Sequence, residues 1–366
     1  MKFKIIRENL LKPLQQVAGV VERRQTLPIL SNILLKLDGQ QLSLTGTDLE
    51  VEMVAVTEVV GSESGEITVP ARKLLDICRE LPDKADIEVS LNEQRLEIRA
   101  GRFKSHLSTL PAMDFPVVDT IETQQSVTVD SQSLKQLLEL TGFAMAQQDV
   151  RYFLNGMLIE HGEGYLRSVA TDGHRLAMNS LPLDKGQASL GQVIVPRKGV
   201  LELQRLLTEF EENVSISIGS SHLCLEAGGY RLTTKLIDGR FPDYERVIPR
   251  NGDKTILANK QDLRRAFNRT AILSNEKFRG IRVQFSSGLI QITANNPEQE
   301  DAEESVPVEY TGPDLEIGFN VGYLLDVLNV VRSDEVKITV FDENSSALLE
   351  DPASENALYV IMPMKL

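Results

Sequence analysis

The sequence predicts an α+β protein that consists of three tandem copies of one domain, each with two helices against antiparallel sheets. Two observations support this prediction. Asp48, Asp172 and Asn296 follow similar strand-like segments at equal spacings of 124 residues. Each copy also alternates between the periodicity of a helix and that of a strand. Because solenoid repeats have periods of only about 20–50 residues, each copy corresponds to a whole domain.

Three segments of each copy can be matched along the chain. The first is strand-like, the second is helical, and the third is a short alternating strand such as ADIEVSL, ENVSISI or DEVKITV. The first two recur at 42–56, 165–183 and 289–308, and at 69–81, 195–207 and, more loosely, 319–331. Polar stretches near 121–126 and 249–254 separate the copies. This predicts domains at residues 1–122, 126–250 and 253–366.

Each domain opens with one helix and carries a second near its middle. The apolar residues that recur on one helix face are Leu10, Leu14, Val17 and Val21, then Leu74, Leu75, Cys78 and Leu81, and then Val321, Leu324, Leu325, Leu328 and Val331. The expected helical windows are 7–24, 71–84, 131–151, 196–212, 260–282 and 320–335. Pro13 should kink the first helix, whereas Pro70 and Pro196 suit the start of a helix.

The composition is that of an ordinary globular protein, with 42% apolar and 25% charged residues among 366. No apolar run approaches the ~18 residues of a membrane span, so no membrane partner is expected. The first ten residues lack the apolar core of a signal peptide. The only cysteines, Cys78 and Cys224, are expected to be buried thiols, which fits a reducing cytoplasm.

The net charge of −14 argues against a nucleic-acid partner if it is evenly spread, because duplex affinity comes mainly from Lys and Arg. It is not evenly spread. The six helical windows together carry +5, which leaves −19 for the rest of the chain. Basic helices in an acidic protein suit a DNA-facing surface beside a surface that repels phosphates. The alternative is that helices simply accommodate Lys and Arg well.

The sequence offers no support for an enzyme. Asp172 and His174 stand close together, but no nucleophile motif or glycine-rich phosphate loop accompanies them. The four histidines are not spaced with the cysteines for a zinc site. We therefore expect no catalytic residues, no metal and no cofactor.

Several long motifs, spread over all three copies, resemble those of bacterial β sliding clamps. They are TLPILSNILL (26–35), LTGTDLE (44–50), DVRYFLNGML (149–158), ATDGHRLA (170–177), DGRFPDY (238–244), AILSNEKFRG (271–280), ITANNPEQE (292–300) and YVIMPMKL (359–366). The resemblance implies DNA-clamp domains and a head-to-tail homodimer that closes a ring around duplex DNA. It also implies DNA polymerases and an ATP-dependent clamp loader as partners. Twelve helices at about 8–10 Å spacing would line a hole of about 25 Å, which admits B-form DNA.

The resemblance also implies site residues. Arg24 and Gln148 are the first candidates for sequence-independent DNA contact, followed by Arg72, Arg197, Lys198, Arg264 and Arg269. A hydrophobic cleft between the second and third domains is expected to bind partner peptides. Its residues would be Leu154, Thr171, Gly173, His174, Arg175, Leu176, Pro242, Arg246, Val247, Asn320, Tyr323, Ser346, Val360, Ile361, Met362, Pro363, Met364 and Leu366. Methionines suit such a cleft because they adapt to varied partners.

The subunit interface implied by the resemblance joins the third domain of one protomer to the first of its partner. Ile272 and Leu273 would pack against Leu107 and its neighbours on one strand. Ser105 departs from the family pattern, where an aromatic residue is common, and Phe103 on the same strand face could supply the missing apolar area. Basic Lys73, Arg102 and Lys104 could face the acidic residues Glu300, Asp301, Glu303 and Glu304.

Three alternatives remain open at this stage. The three domains could form a tandem array with no closed shape. The chain could also be a specialised clamp paralogue, or a peptide-binding scaffold that never encircles DNA. Retention on circular but not on linear DNA distinguishes a clamp from a scaffold.

Overall fold

The computed structural model describes residues 1–22, 27–118, 125–184, 191–250 and 252–365. It divides into two compact units. The first unit comprises Met1–Lys135 and Lys198–Leu236, and the second comprises Gln136–Arg197 and Ile237–Leu366. The middle sequence repeat therefore contributes to both units.

Within the described ranges the chain forms six α-helices, two for each sequence repeat. They are α1 (Arg7–Val20), α2 (Ala71–Glu80), α3 (Ser131–Gly142), α4 (Arg197–Leu207), α5 (Lys260–Ala271) and α6 (Val321–Val330). All six were predicted, but every predicted window extended past the end of its helix. The helix α1 continues through Pro13, which is buried, and is not broken there. Pro70 occupies the N-cap of α2 and not its first turn.

The three repeats share the same order of strands, except that the first has one additional strand, β5, among the described residues. The first contains β1 (Lys2–Ile6), β2 (Asn32–Asp38), β3 (Gln41–Thr47), β4 (Val51–Glu58), β5 (Val60–Glu63), β6 (Gly65–Pro70), β7 (Asp86–Asn92), β8 (Arg95–Ala100) and β9 (Phe103–Ser108). The second contains β10 (Gln125–Asp130), β11 (Gly156–Gly162), β12 (Tyr165–Thr171), β13 (Arg175–Pro182), β14 (Gly191–Pro196), β15 (Asn213–Ile218), β16 (His222–Ala227) and β17 (Tyr230–Lys235). The third contains β18 (Lys254–Asn259), β19 (Gly280–Ser286), β20 (Leu289–Asn295), β21 (Asp301–Pro307), β22 (Leu315–Asn320), β23 (Glu335–Val340), β24 (Ala347–Asp351) and β25 (Ser354–Ile361).

The first unit contains a five-stranded sheet and an eight-stranded sheet. The smaller sheet has the order β5-β1-β7-β8-β9, which leaves β9 at one edge. The larger sheet has the order β10-β15-β16-β17-β4-β3-β2-β6. It joins strands of the second repeat to strands of the first through the antiparallel pair β17 and β4.

The second unit is built in the same way, from an eight-stranded and a four-stranded sheet. The larger sheet has the order β14-β11-β12-β13-β25-β24-β23-β18, and its repeats meet at the antiparallel pair β13 and β25. The smaller sheet has the order β21-β20-β19-β22, so β21 lies at an edge.

The helices cover the sheets and bury the apolar faces that the sequence predicts. In the first unit α1 packs against β3, β4 and α2. Leu14 and Val17 of α1 are completely buried. The approach of α1 to β3 requires Gly46, because a Cβ there would lie 2.8 Å from the carbonyl oxygen of Val17. Cys78 and Cys224 are buried free thiols, as predicted. No helix of the described chain is long and apolar enough to span a membrane.

Candidate functional site

A pocket with a volume of about 220 Å³ lies in the second unit. It is lined by residues of β12, β13 and β25 and by the segments that precede β11 and follow β17. The lining residues are Arg151, Phe153, Leu154, Thr171, Gly173, Arg175, Leu176, Pro242, Asp243, Tyr244, Val247, Val360 and Met362. Nine of the eighteen residues predicted for the partner cleft are among them.

The floor of the pocket is apolar. Leu176 on β13 lies directly opposite Val360 on β25, so both repeats contribute to it. Both side chains belong to a buried cluster that includes Leu158, Val169 and Phe241. A rigid apolar floor of this kind favours a partner that inserts apolar side chains.

The turn Asp172–Gly173–His174 forms one rim of the pocket. Asp172 Oδ1 accepts hydrogen bonds from the backbone nitrogens of His174 (2.9 Å) and Arg175 (3.1 Å). Gly173 has a φ of +88°, which favours glycine, and a Cβ at this residue would lie 2.8 Å from Arg151 Nη1. The sequence TDG therefore serves the geometry of the turn.

Arg175 fixes the position of α6 relative to this turn. Its guanidinium group pairs with Asp172 (3.1 Å) and with Asp326 of α6, and it donates to the carbonyl oxygen of Phe143 (2.8 Å). The same group lies 4.5 Å above the ring of Tyr323. Because Arg175 has this many partners and only 12% side-chain exposure, its main contribution is to hold the wall of the pocket.

Arg151 lies at the mouth of the pocket and was not predicted. It pairs with Asp149 at 2.9 Å and donates to the carbonyl oxygen of Asp172 at 3.1 Å. The hydrogen bonds from Arg151 lower the pKa of Asp149 to about 2. The ion pair therefore persists at neutral pH and keeps the guanidinium group at the pocket mouth.

The opposite wall is the short 3₁₀ helix Tyr244–Arg246. The Tyr244 hydroxyl donates to Glu160 and accepts from Arg167, both at 2.8 Å. Burial raises the pKa of Tyr244 to about 12, so its hydroxyl stays protonated and can donate. Tyr244, Phe153 and Asp243 also line the pocket, although they were not predicted. All three lie within motifs that carry the family resemblance, and these motifs could have indicated that the three residues belong to the pocket.

Eight predicted cleft residues lie outside the pocket lining, and Leu366 lies outside the described residues. Asn320 caps α6 by accepting from the nitrogen of Gly322 (2.8 Å). Arg246 is exposed and pairs with Asp243 at 2.7 Å. Ile361 is fully buried. The other five are His174, Tyr323, Ser346, Pro363 and Met364.

The residues predicted to contact DNA differ in how free their charges are. Arg72 and Arg264 are exposed and have no ion pair with another described residue. Lys198 is bound to Glu22 and Asp48, and Arg269 is bound to Glu304.

The remaining three candidates for DNA contact are Gln148, Arg197 and Arg24. Gln148 is exposed but follows α3 in a turn with a φ of +56°, so it does not lie on a helix. Arg197 begins α4 and donates to the carbonyl oxygen of Met145 at 3.4 Å. Arg24 lies outside the described residues.

The residues predicted for the subunit interface lie on β9, at the end of α5 and on β21. Ile272 is 76% exposed, and Phe103 is 41% exposed. Leu107, on the same face of β9 as Phe103, is buried within its own domain. The hydroxyl of Ser105 is buried without a hydrogen-bond partner among the described residues.

Several of the predicted interface charges already have partners within the chain. Lys104 pairs with Glu97 at 3.0 Å, and Glu304 pairs with Arg269. Glu303 accepts a hydrogen bond from Gln291 at 2.7 Å, and Glu300 accepts one from Asn296, also at 2.7 Å. Lys73, Arg102 and Asp301 have no ion pair with another described residue.

Comparison with known proteins shows which family has these three domains. Models of the N-terminal, central and C-terminal domains of the DNA polymerase III beta subunit match residues 1–119, 128–243 and 245–365. A beta sliding clamp from Pseudomonas aeruginosa is 59% identical over 100% of both chains. One from Escherichia coli K12 is 53% identical, again over 100% of both.

The chain belongs to the family of the DNA polymerase III beta subunit, the bacterial sliding clamps. Solved structures agree with this. A sliding clamp from P. aeruginosa has a TM-score of 0.97 at 58% identity, and a pol III beta from Caulobacter crescentus has 0.96 at 41%, each with full coverage. The predictions of three tandem clamp domains and of a non-catalytic subunit are confirmed by this membership in the sliding-clamp family.

Proposed function

We propose that two copies of this chain close head to tail into a ring that encircles duplex DNA and tethers DNA polymerases to it. Membership in the sliding-clamp family supports this function. The structural observation that carries it is the way in which the sequence repeats are joined.

Each repeat joins the next through the same pair of strands. In the first unit β4 of the first repeat pairs with β17 of the second. In the second unit β13 of the second repeat pairs with β25 of the third. The strands β4, β13 and β21 are equivalent, and so are β17, β25 and β9. Among the described strands, β21 and β9 remain at sheet edges. Pairing β21 of one protomer with β9 of its partner therefore repeats the internal joint a third time.

Charge and exposure support the same joint. The edge strand β9 carries Lys104, while β21 carries Asp301 and Glu303, which are exposed. Exposed strand edges promote association unless they are covered, and opposite charges select the partner. Ile272, at the end of α5, would supply exposed apolar area to this joint. The interface would further include Phe103, Ser105, Leu107, Leu273, Lys73, Glu300 and Glu304.

The helices supply the positive charge for a DNA-facing surface. Within their observed bounds they contain thirteen Lys and Arg against seven Asp and Glu, a net charge of +6. Because the whole chain carries −14, the remainder carries −20. Arg72 and Arg264 are the best described candidates for phosphate contact, since both are exposed and free of ion pairs. We keep Arg24, Gln148, Arg197, Lys198 and Arg269 as further candidates.

The pocket in the second unit is the proposed site for partner peptides. Its floor is apolar, and Met362 at its edge can adapt to different side chains. Polymerases and the ATP-dependent loader would share it. The nine predicted residues that line the pocket are the core of this proposal. The nine others remain proposed at its periphery.

The proposal also includes the bounds of the domains and the cellular compartment. The domains are proposed to extend over residues 1–122, 126–250 and 253–366. The protein is proposed to act in the cytoplasm, where free thiols such as Cys78 and Cys224 remain reduced.

Loading onto nicked circular DNA, with a clamp loader and ATP, tests the ring directly. After removal of free protein, the circle is cut once with a restriction enzyme. The ring should remain on the circle and leave the linear molecule, because linear DNA has ends from which a ring can slide. A linear molecule whose ends are blocked by bound protein is the matched control and should retain the ring. Equal retention on open linear DNA would show ordinary contact binding and overturn the proposal.

A further inference from the structure

His106 belongs to a charged cluster at the edge strand β9. Its Nε2 lies 3.0 Å from Glu97 Oε2, and Lys104 Nζ lies 3.0 Å from the same oxygen. Arg99 also pairs with Glu97. Hydrogen bonds from Lys104 and Arg99 lower the pKa of Glu97 to about 2. At neutral pH the cluster therefore contains one carboxylate and at least two cations.

His106 has a defined equivalent in each of the other repeats. Each repeat contains one of the segments ADIEVSL, ENVSISI and DEVKITV. The sixth residue of the segment pairs with a residue on the next strand, and that residue pairs in turn with one on the strand after it. This last residue is His106 on β9, Thr233 on β17 and Val360 on β25.

Asp301 on the other edge strand, β21, has equivalents as well. The equivalent residues are those that pair with the last residue of β3, of β12 and of β20. They are Glu52 on β4, Leu176 on β13 and Asp301 on β21.

Both joints within the chain have the same register. Glu52 lies opposite Thr233 in one, and Leu176 lies opposite Val360 in the other. A third joint of the same kind places Asp301 of one protomer opposite His106 of its partner. Two residues further along, the same register places Glu303 opposite Lys104.

We propose that His106 and Asp301 form a titratable pair across the subunit interface, which strengthens ring closure as the pH falls from about 8 to about 6. This inference rests on the head-to-tail pairing proposed above. Residues directly opposite each other on antiparallel strands have Cβ atoms about 4.5–5.5 Å apart, and opposite charges there favour pairing.

The direction of the effect follows from what ring closure adds around the imidazole. Glu97, Arg99 and Lys104 surround His106 in the free protomer and in the ring alike. Ring closure adds two carboxylates from β21, Asp301 directly opposite and Glu303 beside it. Protonated His106 is thus more stable in the ring than in the free protomer. Ring closure is therefore favoured at the lower pH, and this stabilisation is lost as the pH rises.

Dissociation constants of the full-length dimer at about pH 6 and about pH 8 test the proposal. Sedimentation of serially diluted protein gives both values. We expect dimerisation about four- to 25-fold tighter at the lower pH, because the ring has two identical joints and a cross-strand ion pair contributes about two- to fivefold at each. His106→Gln and Asp301→Asn should each remove the pH dependence, and the double variant should remove no more than either alone. Lys73→Gln, at an exposed cation of the proposed interface that lies outside the His106 cluster, is the control. It should weaken the dimer by the same factor at both pH values.

The possible failures can be distinguished. A dimer whose dissociation constant does not change with pH, or a His106→Gln variant that keeps the full change, would overturn the inference alone. A protein that is monomeric at both pH values would overturn the head-to-tail pairing and the inference with it.

Discussion

Glu52 and Leu176 occupy equivalent positions on β4 and β13, but only Leu176 lines the pocket. The carboxylate of Glu52 is 2% exposed and accepts a hydrogen bond from the nitrogen of Val118 at 2.8 Å. Its nearest cation is Arg231, whose Nη2 lies 3.9 Å away. Burial raises the pKa of Glu52. At Glu52 the joint between repeats is therefore covered by the chain's own backbone, whereas at Leu176 the equivalent joint is open to a ligand.

The apolar pocket predicts that a charge introduced on its wall weakens peptide binding. Val247 lines the pocket and is 40% exposed, so Val247→Asp should leave the fold intact. Binding of a short apolar peptide from a polymerase should weaken at least tenfold, or by about 1.4 kcal/mol, in fluorescence anisotropy. Met113→Asp, at a site that is 89% exposed in the first unit, is the control and should bind as the unmodified protein does. Equal affinity of both variants would contradict the assignment of the pocket.

Because the end of α5 is exposed, shortening its apolar side chains is expected to abolish dimerisation. Ile272 is 76% exposed and Leu273 is half-buried, and the proposed interface covers both. The double variant Ile272→Ala with Leu273→Ala should sediment as a monomer at concentrations where the unmodified protein is a dimer. Val60→Ala, at a residue of β5 that is 73% exposed, should remain dimeric. If the double variant also remains dimeric, the interface lies elsewhere.

The close approach of α1 to β3 predicts a cost for any side chain at Gly46. A Cβ there would meet the Val17 carbonyl oxygen at 2.8 Å and Val17 Cγ1 at 2.9 Å, so the helix must move. Gly46→Ala should lower the free energy of unfolding by about 1–3 kcal/mol, measured by urea denaturation of the first-unit transition. Ser43→Ala on the same strand should change it by less than about 0.5 kcal/mol. A neutral Gly46→Ala would mean that α1 lies further from the sheet.

The buried thiols predict slow chemical modification. Burial raises the pKa of Cys78 to about 12 and also raises that of Cys224, so neither forms the reactive thiolate near pH 8. The native protein should react with an aromatic disulfide reagent only on the time scale of unfolding, whereas two thiols per chain should react at once in denaturant. Ser64→Cys, at an exposed residue, should add one fast thiol and show that the reagent is active. Rapid labelling of the unmodified native protein would contradict the burial.

The fold was largely predictable from sequence because the pattern of one domain occurs three times in the chain. The positions of α1, α2 and α6 followed from apolar spacing and those of the other helices from the repeat, but the helix ends did not. The window 131–151 included Gln148, although α3 ends at Gly142 and Gln148 adopts a left-handed turn. Pro13, at which a kink was expected, lies inside α1, and the helix continues through it.

The residues that the resemblance implies for the cleft are only partly brought together by the structure. Leu176 and Val360 lie opposite each other on paired strands and both line the pocket. Arg151 and Tyr244 were missed, since they reach the pocket from irregular segments whose course depends on hydrogen bonds to Asp149 and Glu160. Sequence could not show that Lys104 and Glu304 have partners within the chain, because Glu97 and Arg269 meet them only through tertiary structure.

The pairing of β21 with β9 is the central claim, and disulfide cross-linking tests it most directly. Directly opposite residues on antiparallel strands have Cα atoms about 4.5–5.5 Å apart, within the range that a disulfide spans. In the double variant Lys104→Cys with Glu303→Cys, mild oxidation should convert the protein into covalent dimers on a non-reducing gel. Lys104→Cys with Pro307→Cys lies four residues out of register, about 13 Å away, and should remain monomeric on the gel. Equal cross-linking of the two variants, or none in the first, would contradict head-to-tail closure through these strands.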